Sequence, residues 1–408
     1  MSVVVVGAGQ AGFQAAASLR EAGYAGAITL VGDEPGLPYQ RPPLSKAYLA
    51  GKTDATGLAL RAAGFFAEHR IAHRQETRAT GIDRARRELH VSDAHSLPYD
   101  HLVLATGSRN RPLLVPGADL RNVLQLRSLD DADRIQASLG AATDIAIIGA
   151  GFIGLEFAAV CAARGLRVTV VEAADRPMAR AVSAETGGFF REAHERAGVR
   201  FMFGAGVTAI EGVDGAALGI HLADGTRLPA DLVLIGIGVL PNQELAEAAG
   251  LTVGDGIHVD AFLATDDPAI SAIGDCARFP SRFAAGATVR IESVQNAVDQ
   301  GRCVAGRIAG RAAAYDAVPW FWSDQGPHKL QIAGLSAADD TSVVRRSAAG
   351  LSVFRYRAGS LSSVESIDRP GDHMVARRIL AQGLALTPDQ AGDPDYDLKA
   401  LALGAARS

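Results

Sequence analysis

Three cysteines in 408 residues, none in a Cys-x-x-Cys spacing, exclude a disulfide framework. Cys161, Cys276 and Cys303 lie far apart, which suits a reducing compartment. With the ten histidines equally dispersed, no zinc or iron–sulfur ligand set can be read from the spacing. No Ser-His-Asp set emerges from context. No apolar run approaches about 18 residues, so no membrane span is expected. No charged and apolar leader precedes the first strand, and the expectation is a cytoplasmic protein. Low-complexity tracts are missing. The net charge of −5 excludes bulk attraction to nucleic acid and leaves room for a local basic patch.

What the chain does have is glycine at two telling places. Gly7-Ala8-Gly9-Gln10-Ala11-Gly12 follows the aliphatic run Val3–Val6. Gly149-Ala150-Gly151-Phe152-Ile153-Gly154 follows Ile145–Ile148. Each opens a helical pattern. In this motif the first glycine makes the strand-to-helix turn, the second admits a pyrophosphate, and the third lets helix and strand pack closely. The helix start then offers free N–H groups and partial positive charge to phosphate. A ribose-binding acid is expected roughly 20 positions later, at the end of the next strand. Asp33 after Ile28–Val31 and Glu172 after Val168–Val171 fill that role. One such motif is a weak signal. Two, each with strand, helix and acid, predict two dinucleotides and electron transfer from one to the other.

The expected fold is α/β, with two Rossmann-like dinucleotide-binding domains of glutathione reductase type and a C-terminal α+β domain. The second half repeats the first: fingerprint, acid, then a strand ending in a glycine turn, at Leu102–Gly107 and at Leu232–Gly238. A helix is expected within Ile291–Ile308. After Pro319 the texture turns to β, with strand-like runs at Leu330–Ile332, Ser342–Val344 and Leu351–Tyr356. The tail after about residue 385 reads as loop and a short helix.

Six further stretches are distinctive: Arg41-Pro42-Pro43-Leu44-Ser45-Lys46, Ala105-Thr106-Gly107, Gly149–Glu156, Ala272–Asp275, Glu292–Ala297 and Pro319-Trp320-Phe321-Trp322-Ser323-Asp324-Gln325. Through them the chain resembles, over nearly its whole length, the FAD- and NADH-dependent ferredoxin reductases of bacterial cytochrome P450 and aromatic-ring oxygenase systems. This putidaredoxin reductase-like branch belongs to the pyridine nucleotide-disulfide oxidoreductases but lacks their redox disulfide. Rubredoxin reductases and apoptosis-inducing factor are its relatives. The resemblance implies an FAD domain at 1–112 with 246–318, an NAD domain at 113–245, and a C-terminal domain at 319–408 that covers the flavin.

The resemblance also implies residue roles. Gly7, Gly9, Ala11, Gly12 and Asp33 hold non-covalent FAD, with Ala79 bordering the adenine and Arg41, Lys46, Arg127, Asp275 and Val294 also on FAD. Gly149, Gly151, Gly154 and Glu172 hold NADH. A carboxylate at 172 favours the free 2′-hydroxyl of NADH over a 2′-phosphate, though Arg176 and Arg180 nearby argue the other way. Lys46 and Glu156 are expected as an ion pair beside flavin N5, with Glu156 meeting the nicotinamide carboxamide. Trp322 is expected beside the flavin ring and Trp320 in the domain core; core packing of both is the alternative. Arg302 matches a partner-docking position. It joins Arg41, Lys329, Arg345 and Arg346 as a candidate basic face for an acidic [2Fe-2S] ferredoxin, against the plainer reading of solvated charges.

By this resemblance, hydride passes from NADH to FAD N5, and single electrons then pass to the ferredoxin and on to an oxygenase. A rubredoxin reductase and an NADH-sensing flavoprotein are the alternatives. A disulfide reductase or an oxidase would need cysteine within residues 34–60, which have none.

Overall fold

The computed structural model describes residues 1–348 and 350–404. Two compact units emerge. One comprises Met1–Gln40, Thr56–Arg109 and Leu240–Pro319; the other comprises Arg41–Ala55, Asn110–Val239 and the chain from Trp320 onward.

The first unit is built on a five-stranded parallel sheet, in the order Ile270–Ala272, His101–Leu104, Ser2–Val6, Ala27–Val31, Ile71–Arg74. The central Val3–Val6 run is buried on both faces, so it can be wholly β-branched and apolar. The helix Gln10–Glu21 follows the first glycine loop and packs against the helix Val294–Ile308. That contact depends on small residues: a Cβ at Gly301 would come within 3.0 Å of Ala11 O and Ala15 N. A three-stranded antiparallel sheet, Ala79–Asp83, Glu88–Val91 and Ser96–Pro98, completes the unit.

The second unit repeats the plan. Its parallel sheet runs Arg200–Phe203, Arg167–Glu172, Asp144–Ile148, Leu232–Ile235, Val123–Leu124. The helix Phe152–Ala163 follows the second glycine loop. An antiparallel set at Val207–Val213, Ala216–Leu222 and Arg227–Pro229 corresponds to the one in the first unit. From Trp320 a five-stranded antiparallel sheet forms, in the order Trp320–Gln325, His328–Gly334, Ser360–Ile367, Gly350–Arg357, Thr341–Ser347. The helix Pro370–Gln382 packs on it. The tail forms two short helices, Pro388–Gly392 and Leu398–Gly404.

The α/β architecture and the β texture after Pro319 match the sequence reading. The two small antiparallel sheets were not expected. The short segment Arg41–Ala55, which the sequence reading assigned to the FAD domain, groups with the second unit. Tyr48 Oη donates to Asp133 Oδ1, and Arg164 donates to Leu49 O, anchoring it there. Among the described residues, no helix is long and apolar enough to cross a membrane.

Candidate functional site

Both glycine loops sit at the carboxyl end of a central parallel strand, where open α/β sheets bind ligands. Gly7 and Gly149 have φ of +108° and +102°, a region closed to residues with a Cβ. A Cβ at Gly7 would strike Ala105 O, and one at Gly149 would strike Gly236 O. A Cβ at Gly12 would overlap Gly7 O, and one at Gly154 would overlap Gly149 O. The middle glycines differ: nothing lies within 4 Å of a Cβ built at Gly9, and only Gly236 O at 3.9 Å for Gly151. The loops are therefore closed toward the protein and open where a pyrophosphate would approach. Neither fingerprint helix has a side-chain N-cap. The helices Leu129–Leu139, Ala184–Arg196 and Val294–Ile308 are each capped by serine. The first N–H groups of the two fingerprint helices thus lack the partner that those helices have. Both loops fit a dinucleotide.

In the first unit, Asp33 Oδ2 accepts from Arg78 Nη2 at 3.0 Å, on the surface. Ala79 follows directly and opens a strand. Ala11 is buried; a Cβ at Gly274 would meet its methyl at 2.9 Å. Ala11 thus keeps the Gly274–Cys276 turn close to the helix start. Asp275 in that turn accepts from Ser108 Oγ at 2.8 Å. Arg290, unnoticed in the sequence, donates to the Asp275 carbonyl at 3.3 Å and to Glu292 at 2.5 Å. It thereby ties the Glu292–Ala297 stretch to the turn. Val294 is the first residue of its helix, with Ser293 Oγ accepting from Asn296 N at 3.0 Å. Gln300 was also missed: its Oε1 accepts from Gly274 N at 2.7 Å, while its buried Nε2 has no partner among the described residues. The helical pattern of Ile291–Ile308 does not single out this glutamine, and no motif marks it.

In the second unit, Glu172 Oε2 accepts from Ala150 N at 2.7 Å and Oε1 from Ala174 N at 2.8 Å. Each oxygen keeps a further lone pair for a ribose hydroxyl. Arg176 donates to Ala179 O and Ser183 O, so its guanidinium is committed to the backbone; Arg180 is exposed. Arg41 Nη1 donates to Arg127 O at 2.7 Å.

Lys46 and Glu156 do pair. Lys46 Nζ lies 3.1 Å from Glu156 Oε1, and Glu156 is 3% exposed. Ser45 Oγ donates to Glu156 Oε2 at 2.5 Å and Ser323 Oγ to Oε1 at 2.6 Å. Burial pushes the Glu156 carboxyl above its usual range, while Lys46 and the two hydroxyls pull it back. Asp324 stands 3.5 Å from the same ammonium. Trp322, half-buried, has Lys46 Nζ 5.8 Å from its ring centre and leans on Trp320 at 5.7 Å. Trp320 packs on His373 and carries Arg377 over its face.

The three cysteines are all free, and burial raises each thiol, Cys161 to about 12. Arg164 beside Cys161 and Arg307 beside Cys303 pull the other way, but burial outweighs both. Among the described residues no cluster of side chains could hold a metal ion. Arg302 is exposed and 3.5 Å from Asp299. Of the other basic candidates, Arg345 donates to Pro394 O and Tyr396 O, which gives it a structural task. Lys329 lies 3.6 Å from Asp324.

Two glycine loops that fit dinucleotides, an acid beside each, and three free thiols mark a dinucleotide-dependent oxidoreductase with no disulfide among its cysteines. Residues 1–301 match the pyridine nucleotide-disulphide oxidoreductase family and residues 320–402 match the reductase C-terminal family. The chain belongs to the pyridine nucleotide-disulphide oxidoreductases, whose ferredoxin reductase members use FAD and NAD(H). It is 52% identical over 401 residues to rhodocoxin reductase of Rhodococcus erythropolis, covering 98% of this chain and 94% of that one. The crystal structure of the ferredoxin reductase for the CYP199A2 system of Rhodopseudomonas palustris superimposes with a TM-score of 0.96. The two share 50% identity, over 98% of this chain and 99% of that one. The covalent putidaredoxin reductase–putidaredoxin complex also gives a TM-score of 0.96, at 40% identity, over 100% of this chain and 99% of that one.

Proposed function

We propose that this chain is an NADH-dependent ferredoxin reductase, serving a small [2Fe-2S] ferredoxin that feeds a cytochrome P450 or another oxygenase. One observation carries the reading: the second fingerprint helix presents a buried carboxylate paired with Lys46, in a chain whose cysteines are all free and protonated. Chemistry at this site therefore proceeds without sulfur. The whole-length similarity to ferredoxin reductases supports the same conclusion.

Bound FAD would supply the conversion between two-electron and one-electron chemistry. The protein's part is binding, orientation and water exclusion. The Gly7–Gly12 loop and its uncapped helix take the FAD pyrophosphate, Asp33 the adenosine ribose, and Asp275, oriented by Ser108, a ribityl hydroxyl. Ala79 and Val294 border the cofactor. On the family resemblance, Arg41, Lys46 and Arg127 also reach FAD, and Trp322 shields the flavin. The Gly149–Gly154 loop takes the NADH pyrophosphate and Glu172 its ribose. Glu156, facing Lys46 and bonded by Ser45 and Ser323, accepts from the nicotinamide carboxamide and so fixes the face presented for transfer. These roles divide the chain into an FAD-binding part (1–112, 246–318), an NAD-binding part (113–245) and a C-terminal part (319–408). The free thiols suit the cytoplasm.

The test is NADH-driven cytochrome c reduction by the yellow, FAD-loaded protein. The rate is expected to depend on, and saturate with, one [2Fe-2S] ferredoxin. Rapid oxygen consumption with no carrier, or a rate indifferent to ferredoxin, would reject the proposal.

A further inference from the structure

The Trp320–Gln325 strand holds more than its tryptophans. Alternation along a strand sends Trp320, Trp322 and Asp324 to one face and Phe321, Ser323 and Gln325 to the other. The second set meets the fingerprint helix and its surroundings: Phe321 lies 4.6 Å from Phe152, ring centre to ring centre, and Ser323 bonds Glu156. Beyond Ser323 the contacts continue. Gln325 Nε2 donates to Ser323 Oγ at 3.2 Å, and Gln325 Oε1 accepts from His194 Nε2–H at 3.0 Å. Glu156, Ser323, Gln325 and His194 are all at most 3% exposed.

This order of donors has one consistent direction. The contact with Met178 orients the Gln325 amide, oxygen toward His194, and the imidazole, kept neutral by burial, then carries its proton on Nε2. The amide nitrogen then faces Ser323 Oγ and, at 3.5 Å, Met178 Sδ, a weak acceptor. A flipped amide would set oxygen against sulfur at Met178. Because the amide nitrogen can only donate, the Ser323 hydroxyl accepts there and directs its own hydrogen at Glu156.

We propose that Gln325 and His194 are positioning residues: they lock Ser323 as a hydrogen-bond donor and so keep Glu156 a carboxylate opposite Lys46. The proposal rests on the reading that Glu156 works at the nicotinamide site. The titratable groups facing Glu156 are Lys46 on the Arg41–Ala55 segment, Asp324 on the Trp320–Gln325 strand, and His194 two side chains away. On the strands under the helix, Asp144 pairs with Arg167 and Glu172 bonds backbone amides.

Infrared titration of the oxidised, FAD-loaded full chain tests it. The protonated-carboxyl band of Glu156 is assigned by its loss in Glu156→Gln. In Ser323→Ala and Gln325→Leu its midpoint is expected to move up by about one pH unit, a tenfold change in proton affinity. Ser323→Thr, which keeps the hydroxyl, is expected to titrate as the wild type does. Unmoved midpoints in Ser323→Ala and Gln325→Leu would overturn the proposal. So would equal shifts in Ser323→Ala and Ser323→Thr, which would mean packing alone. Flavin reduction by NADH in Glu156→Gln separates the two levels: an unchanged rate rejects the site reading, while the titration result stands.

Discussion

At the scale of single residues, the buried ion pair governs what can be changed. Removing Lys46 strands a carboxylate that is 3% exposed, a loss of about 3 kcal/mol or more for a broken buried pair. Glu156 already titrates above its ordinary value of 4.5 because it is buried. The folded protein therefore holds that proton more tightly than the unfolded chain does. The contribution of Glu156 to stability is greatest below the ordinary value and falls as pH rises through the raised one. Lys46→Ala lifts the folded-state value further and extends this fall to higher pH, so its thermal midpoint should drop further below wild type as pH rises. The same variant should reduce FAD with NADH about tenfold or more slowly while retaining its FAD, measured by stopped flow and by flavin absorbance. A colourless Lys46→Ala protein would place the pair in FAD retention instead.

Glu172 makes a different prediction. It braces the second glycine loop through Ala150 N, so Glu172→Ala should raise KM for NADH by about tenfold, the cost of losing a charge-assisted hydrogen bond. Losing its negative charge should also narrow the preference over NADPH. Arg176 cannot compensate, since it is committed to backbone carbonyls. Steady-state kinetics with both nucleotides would show it.

At the scale of elements, close approach matters more than propensity. Gly301 lets the helices Gln10–Glu21 and Val294–Ile308 touch. Gly301→Val should force them apart at a cost of about 1–3 kcal/mol, read from denaturant unfolding. A second element-level contact lies in the other unit. Glu365, wholly buried in the Ser360–Ile367 strand, accepts from Ser183 N at 2.9 Å and Ser183 Oγ at 2.6 Å, at the start of the helix Ala184–Arg196. Arg355 stands 3.9 Å away. This carboxylate joins the C-terminal sheet to a helix beside the second unit's parallel sheet. Glu365→Ala leaves Ser183 N and Arg355 without it and should cost about 3 kcal/mol.

At the scale of the whole molecule, a net charge of −5 does not attract an acidic ferredoxin, so any steering must be local. Arg302 is exposed enough to serve. Arg302→Glu should raise KM for ferredoxin by about tenfold at low salt, with the difference shrinking at high salt. Turnover with ferricyanide, which needs no docking, should not change.

Much of this was legible in the chain because it is locally encoded. The glycine loops, their acids and the buried parallel strands depend on spacing within one βαβ unit. The Lys46–Glu156 pair was legible only through two motifs read together. The small antiparallel sheets were not, since their strands are short and their alternation is broken by bulges. Nor were Arg290, Gln300, Glu365 or the line from Glu156 to His194. Ser323 is 167 residues from Glu156, and Gln325 is 131 from His194. A serine or glutamine in a strand has no periodic signature of its partner. Side-chain pattern specifies which face of an element is buried; which polar group meets which inside that buried space is decided only when the elements pack.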